Sequence, residues 1–205
     1  MSKISWKGST LLGPLPPALV TCGTVEQPRI LTIAWTGIIN TQPPMTYISV
    51  RPQRFSYPVI EQTGEFAVNL PTAALARAVD FCGVRSGRDT DKFSACALTA
   101  EPASQISAPL LAESPLSLEC RVRQKLELGS HHMFLADIVA VSVDPSLLDR
   151  SGKLCLEKAG LLAFAHGSYY ELGKRLGTFG FTVRKKPPRA APKRRFGPKQ
   201  TPEKP

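Results

Sequence analysis

Leu116-Ser-Leu-Glu-Cys-Arg-Val-Arg123 alternates without a fault. Leu116, Leu118, Cys120 and Val122 fall on one side, and Ser117, Glu119, Arg121 and Arg123 on the other. Period-two alternation marks a half-buried antiparallel strand, apolar face inward and polar face to solvent. The same pattern recurs on both sides of it. Glu65–Leu70 sets Phe66, Val68 and Leu70 on one face, and Met45–Arg51 separates Met45, Tyr47, Ser49 and Arg51 from Thr46, Ile48 and Val50. Ala18–Thr24 and Arg29–Trp35 are β-branched runs parted by Val25-Glu-Gln-Pro28, a hairpin break. Phe134–Val143 is long and apolar, which predicts burial on both faces and a subunit contact.

Helices are few and short. Ser56 stands as an N-cap before Tyr57-Pro58, with Gly64 as the stop. Leu75, Ala78, Val79 and Cys82 are spaced helically ahead of Gly83, and Asp91 marks another helix start. Many strands without repeated strand–helix units predict a mainly β chain, a closed or partly closed barrel.

The net charge of +10 over 205 residues suggests a nucleic-acid partner until it is located. Residues 184–205 hold nine Lys or Arg, six prolines and a single acid, whereas the rest carries 17 basic and 15 acidic residues. We therefore divide the chain into a body, 1–183, and a basic Pro-rich tail, 184–205. The tail lacks the apolar residues that offset ordering entropy and is expected to be disordered and solubilising. The alternative is weak, salt-sensitive contact with RNA or another polyanion. Five scattered cysteines with no Cys-x-x-Cys pair argue against a disulfide framework and a structural zinc site. No apolar run is long enough to span a membrane and Met1–Lys7 has no signal-peptide core, so a cytoplasmic protein is expected.

No Gly-x-Gly-x-x-Gly, phosphate-loop lysine or Gly-x-Ser-x-Gly elbow is present. Adjacent His131 and His132 would point to opposite faces of a strand, which bars joint chelation and leaves them exposed or structural. His166, near Gly167 and Tyr169, is a weaker pocket candidate than a core or surface residue. Three segments carry positive signals. In Ser49-Val-Arg-Pro-Gln-Arg-Phe-Ser56, Ser49 and Arg51 share a strand face, and Arg54 and Ser56 follow around a turn. Two guanidinium forks and two hydroxyls can converge on a phosphate, helped by a helix N-terminus at Ser56; a solvated turn is the alternative. In Leu31-Thr-Ile-Ala-Trp-Thr-Gly37, small or hydroxylic Thr32, Ala34 and Thr36 would admit a flat ring to the backbone; a plain core strand is the alternative. Cys82-Gly-Val-Arg-Ser-Gly87 through Lys92-Phe93 is a polar loop able to fold over a ligand, with Lys92 as a further charge, or else a surface loop.

Taken in order, Pro17–Thr21, Leu31–Gly37, Ser49–Ser56, Gly64–Pro71, Cys82–Gly87 and Asp91–Phe93 resemble the flavin reductase-like family, especially its flavoredoxin-type branch. The resemblance runs from about Leu15 to Val143, with a fainter echo from Tyr170-Glu-Leu-Gly173 to Phe181. It implies an FMN-binding split β-barrel that forms a homodimer with flavin near the interface. It implies that Ser49, Arg51, Arg54, Ser56 and Lys92 hold the phosphate, with Val50 and Phe55 in the same stretch. The isoalloxazine would lie along Thr32, Ile33, Ala34, Trp35 and Thr36, with Asn69, Cys82, Gly83 and Ser86 nearby. The implied activity is hydride acceptance from NAD(P)H on bound flavin, with electrons or reduced flavin passed to an unknown acceptor. A non-enzymatic FMN electron carrier is the alternative. No catalytic side chain is needed, because the cofactor carries the chemistry.

Overall fold

The computed structural model of the chain describes residues 2–184; most of the basic tail lies outside the described residues. Met1–Leu172 forms one compact unit, and the chain from Gly173 separates as a second unit, including 173–183, which the sequence reading placed in the body. In the second unit the described part has turns but no helix or strand.

The first unit runs β1 (Ala18–Gly23), β2 (Pro28–Ile33), β3 (Thr36–Thr41), β4 (Pro44–Val50), α1 (Tyr57–Thr63), β5 (Glu65–Leu70), α2 (Ala76–Val84) and α3 (Lys92–Cys96). It continues with the two-residue strands β6 (Ala100–Glu101) and β7 (Leu110–Leu111), then the long β8 (Leu116–Glu127) and β9 (His132–Val143). A terminal hairpin, β10 (Leu162–Ala165) and β11 (Ser168–Glu171), ends it. One helix stop and one helix start follow their sequence signals. Gly64 closes α1 with a left-handed φ of 66°, and the Asp91 carboxylate accepts from the amides of Phe93 and Ser94 at the head of α3. His166 and Gly167 occupy the left-handed turn of the last hairpin, where His166 is exposed and lines no cavity of the site described below.

The main sheet has seven strands in the order β2-β1-β5-β8-β9-β4-β3, every named pair antiparallel. Its two edges are consecutive in the chain, joined only by Ala34-Trp35. A flat sheet of this order would hold its edges apart by six strand spacings, roughly 29 Å. The link from Ile33 to Thr36 spans at most about 11 Å. The sheet must therefore roll up until its edges meet at that corner. The Ser49 amide donates to the Trp35 carbonyl at 2.9 Å, which carries the β3–β4 ladder up to that corner. Bulges in the β8–β9 ladder at Glu119/Cys120 and Val122/Gln124 supply part of the bend. The result is a split barrel, not a fully closed one. Its interior holds Val20, Ile33, Ile48, Val50, Phe66, Cys120 and Phe134.

Two expectations need correction. The polar face of β8 is not open to solvent along its first half: Ser117 and Glu119 are buried. The loop between β6 and β7 lies over them. Glu119 accepts from the amides of Ser104 and Gln105 and from the Ser104 hydroxyl, and Thr21 donates to the Pro109 carbonyl. Only from Arg121 does the polar face reach water. Second, β9 is not buried on both faces within the chain. Phe134 and Ala136 are buried, but Val141 remains 52% exposed. The five cysteines are all free thiols. No helix among the described residues is long and apolar enough to cross a membrane, and no cluster of three metal-ligating side chains occurs among them.

Candidate functional site

The seam of the barrel is where β2 ends, β4 ends and the α2–α3 loop passes overhead; beside a cavity of about 540 Å³ that has Glu26, Asp89 and Asp91 in its wall and shares Phe55, Ser56, Gly87 and Lys92 with its neighbour, two more cavities lie there. One, of about 480 Å³, is bounded by Arg51, Gln53, Arg54, Phe55, Ser56, Val84, Arg85, Ser86, Gly87 and Lys92, with Leu31 and Ser130. The other, of about 150 Å³, is bounded by Leu31-Thr-Ile-Ala-Trp35, Ser49-Val-Arg51, Arg54 and His131. Leu31, Arg51 and Arg54 belong to both walls. The cavity of about 480 Å³ thus carries four cationic side chains and no carboxylate. In a body of nearly balanced charge, that concentration is local and suits an anion.

The turn that delivers these groups is short. The Arg54 amide donates to the Arg51 carbonyl at 3.0 Å, and the Tyr57 amide to the Arg54 carbonyl at 2.9 Å. The Arg51 side chain makes no hydrogen bond or ion pair among the described residues, and its guanidinium is free for a ligand. Arg54 is tethered: Nη1 donates to the Gly83 carbonyl at 2.9 Å, which joins the turn to the end of α2. Ser56 occupies the position before α1 but has helical backbone angles and makes no capping bond, contrary to the sequence reading. Phe55 is braced by the Arg29 guanidinium, 4.5 Å from its ring centre. Gly87 sits so close to Phe55 that an added Cβ would fall 2.8 Å from the ring.

Lys92 is buried. Its ammonium donates to the Ile30 carbonyl at 3.0 Å and the Cys82 carbonyl at 2.7 Å. Burial holds its pKa below the ordinary lysine value, Cys82 pulls it upward, and Arg54 adds to the depression. Two of its three protons secure the wall, and one remains for a ligand.

The ring side differs from expectation in detail. The Thr32 hydroxyl donates to the Val79 carbonyl and the Thr36 hydroxyl to the Tyr47 carbonyl, so neither has a proton left to donate to a ligand. Thr36 has already passed the corner into β3 and lines neither cavity. Ile33 and Val50 pack in the barrel interior and offer only their backbone side to the wall. Backbone groups of the 31–35 stretch and Trp35 are left to meet a flat ligand.

Asn69 does not belong to the site. It is 0% exposed. Its amide nitrogen donates to the Leu19 carbonyl and the Thr21 hydroxyl, and its oxygen accepts from the Leu111 amide and the Ser117 hydroxyl. All four hydrogen-bonding positions are spent on the scaffold. Cys82 is likewise interior, its thiol pushed up to about 12 by burial, with neighbouring Cys96 adding to the rise. It and Gly83 serve the site through their carbonyls.

Sequence reasoning missed Arg85 and His131. Arg85 sat within the quoted loop but had no periodicity to distinguish it. His131 was read as exposed or structural. The two histidines do diverge as a strand requires. His132 Nδ1 lies 2.7 Å from the Tyr57 hydroxyl, whereas the His131 ring sits 4.4 Å from that of Trp35, in the wall of the smaller cavity.

A half-open barrel with a cationic cleft beside a backbone-lined slot at its seam defines a split-barrel protein with a site suited to an anion. The chain belongs to the family described as flavin reductase like domain, matched over residues 13–173. It is similar to flavoredoxin of Desulfovibrio vulgaris (Miyazaki F), at 32% identity and a TM-score of 0.81, covering 89% of this chain and 99% of that one. Flavoredoxin from Methanosarcina acetivorans matches at 25% identity and a TM-score of 0.81, over 90% of this chain and 100% of the other. A flavin reductase with a split barrel domain from Shewanella frigidimarina shares the fold at 22% identity and a TM-score of 0.72, over 81% and 85% of the two chains.

Proposed function

We propose that the cleft holds FMN, that NAD(P)H reduces it there, and that the protein passes electrons or reduced flavin to an acceptor. The observation that carries this reading is the cavity of about 480 Å³, with four cations and no acid, opening beside a slot walled by backbone. Arg51, Arg54, Ser56 and the third proton of Lys92 would hold the phosphate, with Arg85 as a further cation. Trp35 and the 31–35 backbone would position the ring system. When bound, flavin supplies two-electron chemistry, accepting hydride and releasing electrons. This chain's residues bind the phosphate, orient the ring and shield it; none need act as acid or base. A homodimer fits the same reading, because Ile38 on edge strand β3 is 64% exposed and Val141 on β9 is 52% exposed. The likeness to two flavoredoxins supports a second reading, an electron carrier with little turnover of its own.

The experiment is the visible spectrum of the purified protein, followed by anaerobic NADH or NADPH. A bound flavin spectrum that bleaches within turnover time supports the reductase. Bleaching only by a chemical reductant supports the carrier. Absence of bound flavin, with no binding on FMN addition, overturns both.

A further inference from the structure

The two histidines at the β8–β9 turn have separate surroundings. His132 faces α1, with Tyr57 at 2.7 Å and Glu61 and Glu127 nearby. His131 faces the seam. Its Nδ1 lies 3.0 Å from the Ser130 hydroxyl, and its ring packs against Trp35. Nε2 makes no hydrogen bond among the described residues. The charged groups facing this ring are Arg51 and Arg54; Trp35 and Ser130 are neutral, and no carboxylate lines either cavity.

We infer that His131 is a protonatable member of the anion clamp built on Arg51 and Arg54, so that binding of the FMN phosphate draws a proton onto its imidazole. This rests on the reading that Arg51 and Arg54 hold that phosphate. Without a ligand, burial and then the two guanidiniums hold the ring's pKa below the ordinary histidine value. A phosphate dianion between the arginines reverses the local field, and an opposite charge nearby favours the charged imidazole. The pKa is then higher in the complex than in the free protein. Protons are taken up on binding, and this contribution to affinity grows as pH falls through the complex's value, levelling off below the free value. Riboflavin, which lacks the phosphate, draws no proton.

The test compares wild type with His131→Asn and His131→Gln, titrating FMN and riboflavin between about pH 8 and about 5.5. FMN's own second phosphate ionisation, near about 6, acts in the opposite direction, and the comparison cancels it because it is common to all the proteins. The wild-type to variant ratio of FMN affinity should rise about tenfold for each unit by which the complex raises the pKa. The riboflavin ratio should stay flat. Calorimetry in buffers of different ionisation enthalpy should show proton uptake with FMN in wild type and less of it in both variants. Parallel pH profiles and equal proton uptake would overturn the inference. Intact riboflavin binding in either variant certifies its fold. Arg51→Ala tests the underlying reading separately. If that variant keeps its preference for FMN over riboflavin, the clamp assignment fails. If the preference disappears while the His131 profiles match wild type, only the role of His131 fails.

Discussion

Arg51→Ala separates the anion clamp from the scaffold more cleanly than any other change in the cleft. Arg51 is exposed and has no partner among the described residues. Its loss should leave stability within about 0.5 kcal/mol of wild type, as for a surface substitution. Arg54→Ala removes the tether to the Gly83 carbonyl as well, which costs about 1 kcal/mol of stability for one ordinary hydrogen bond. Toward FMN each variant forfeits a charge-assisted bond worth roughly 1.5–3 kcal/mol. That is about a tenfold to hundredfold loss in affinity. Riboflavin affinity should barely change. Arg51→Lys should recover only part of the loss, since an ammonium lacks the paired fork. Arg121→Ala is the control: its guanidinium pairs with Glu65 at 3.2 Å and lines neither cavity. The assay is quenching of flavin fluorescence with both ligands, alongside thermal melts. If FMN and riboflavin weaken in parallel, or if neither changes, the clamp is wrongly placed.

Asn69→Ala should destabilise the fold by about 1–3 kcal/mol by orphaning the Leu111 amide and the Ser117 hydroxyl, with the ratio of FMN to riboflavin affinity unchanged in titrations of the folded variant. Burial alone would raise the pKa of Glu119, but bonds from the amides of Ser104 and Gln105 and the hydroxyls of Ser104 and Ser142 outweigh it and leave the value below the ordinary 4.5. Its stabilisation is therefore present above the unfolded value of about 4.3 and is lost as pH falls through the lower folded one; acid melts of Glu119→Gln should lose part of the wild-type pH dependence in that window. Deleting 184–205 should leave FMN content and melting temperature unchanged, because every cleft residue lies between 31 and 131; loss of FMN on truncation would tie the tail to the site.

Short-range physics was enough to read the strands, the helix stop at Gly64 and the helix start at Asp91. Alternation, a left-handed glycine and a side-chain cap are all settled within a few residues of chain. What the sequence could not settle was which polar side chains meet a ligand and which meet the scaffold. Asn69, Ser117 and Glu119 have the composition of a site or a wet face, but the loop between β6 and β7 takes up Glu119, and Asn69 is taken up by β1, by Leu111 of β7 and by Ser117. His131 was invisible for the converse reason. Nothing local distinguishes it from His132, and it reaches the site because β9 pairs with β4, Val50 opposite His132, which sets the β8–β9 turn beside Arg51 and one strand away from Trp35. Local pattern determines which face of a strand is apolar, whereas closure of the sheet decides what lies opposite that face.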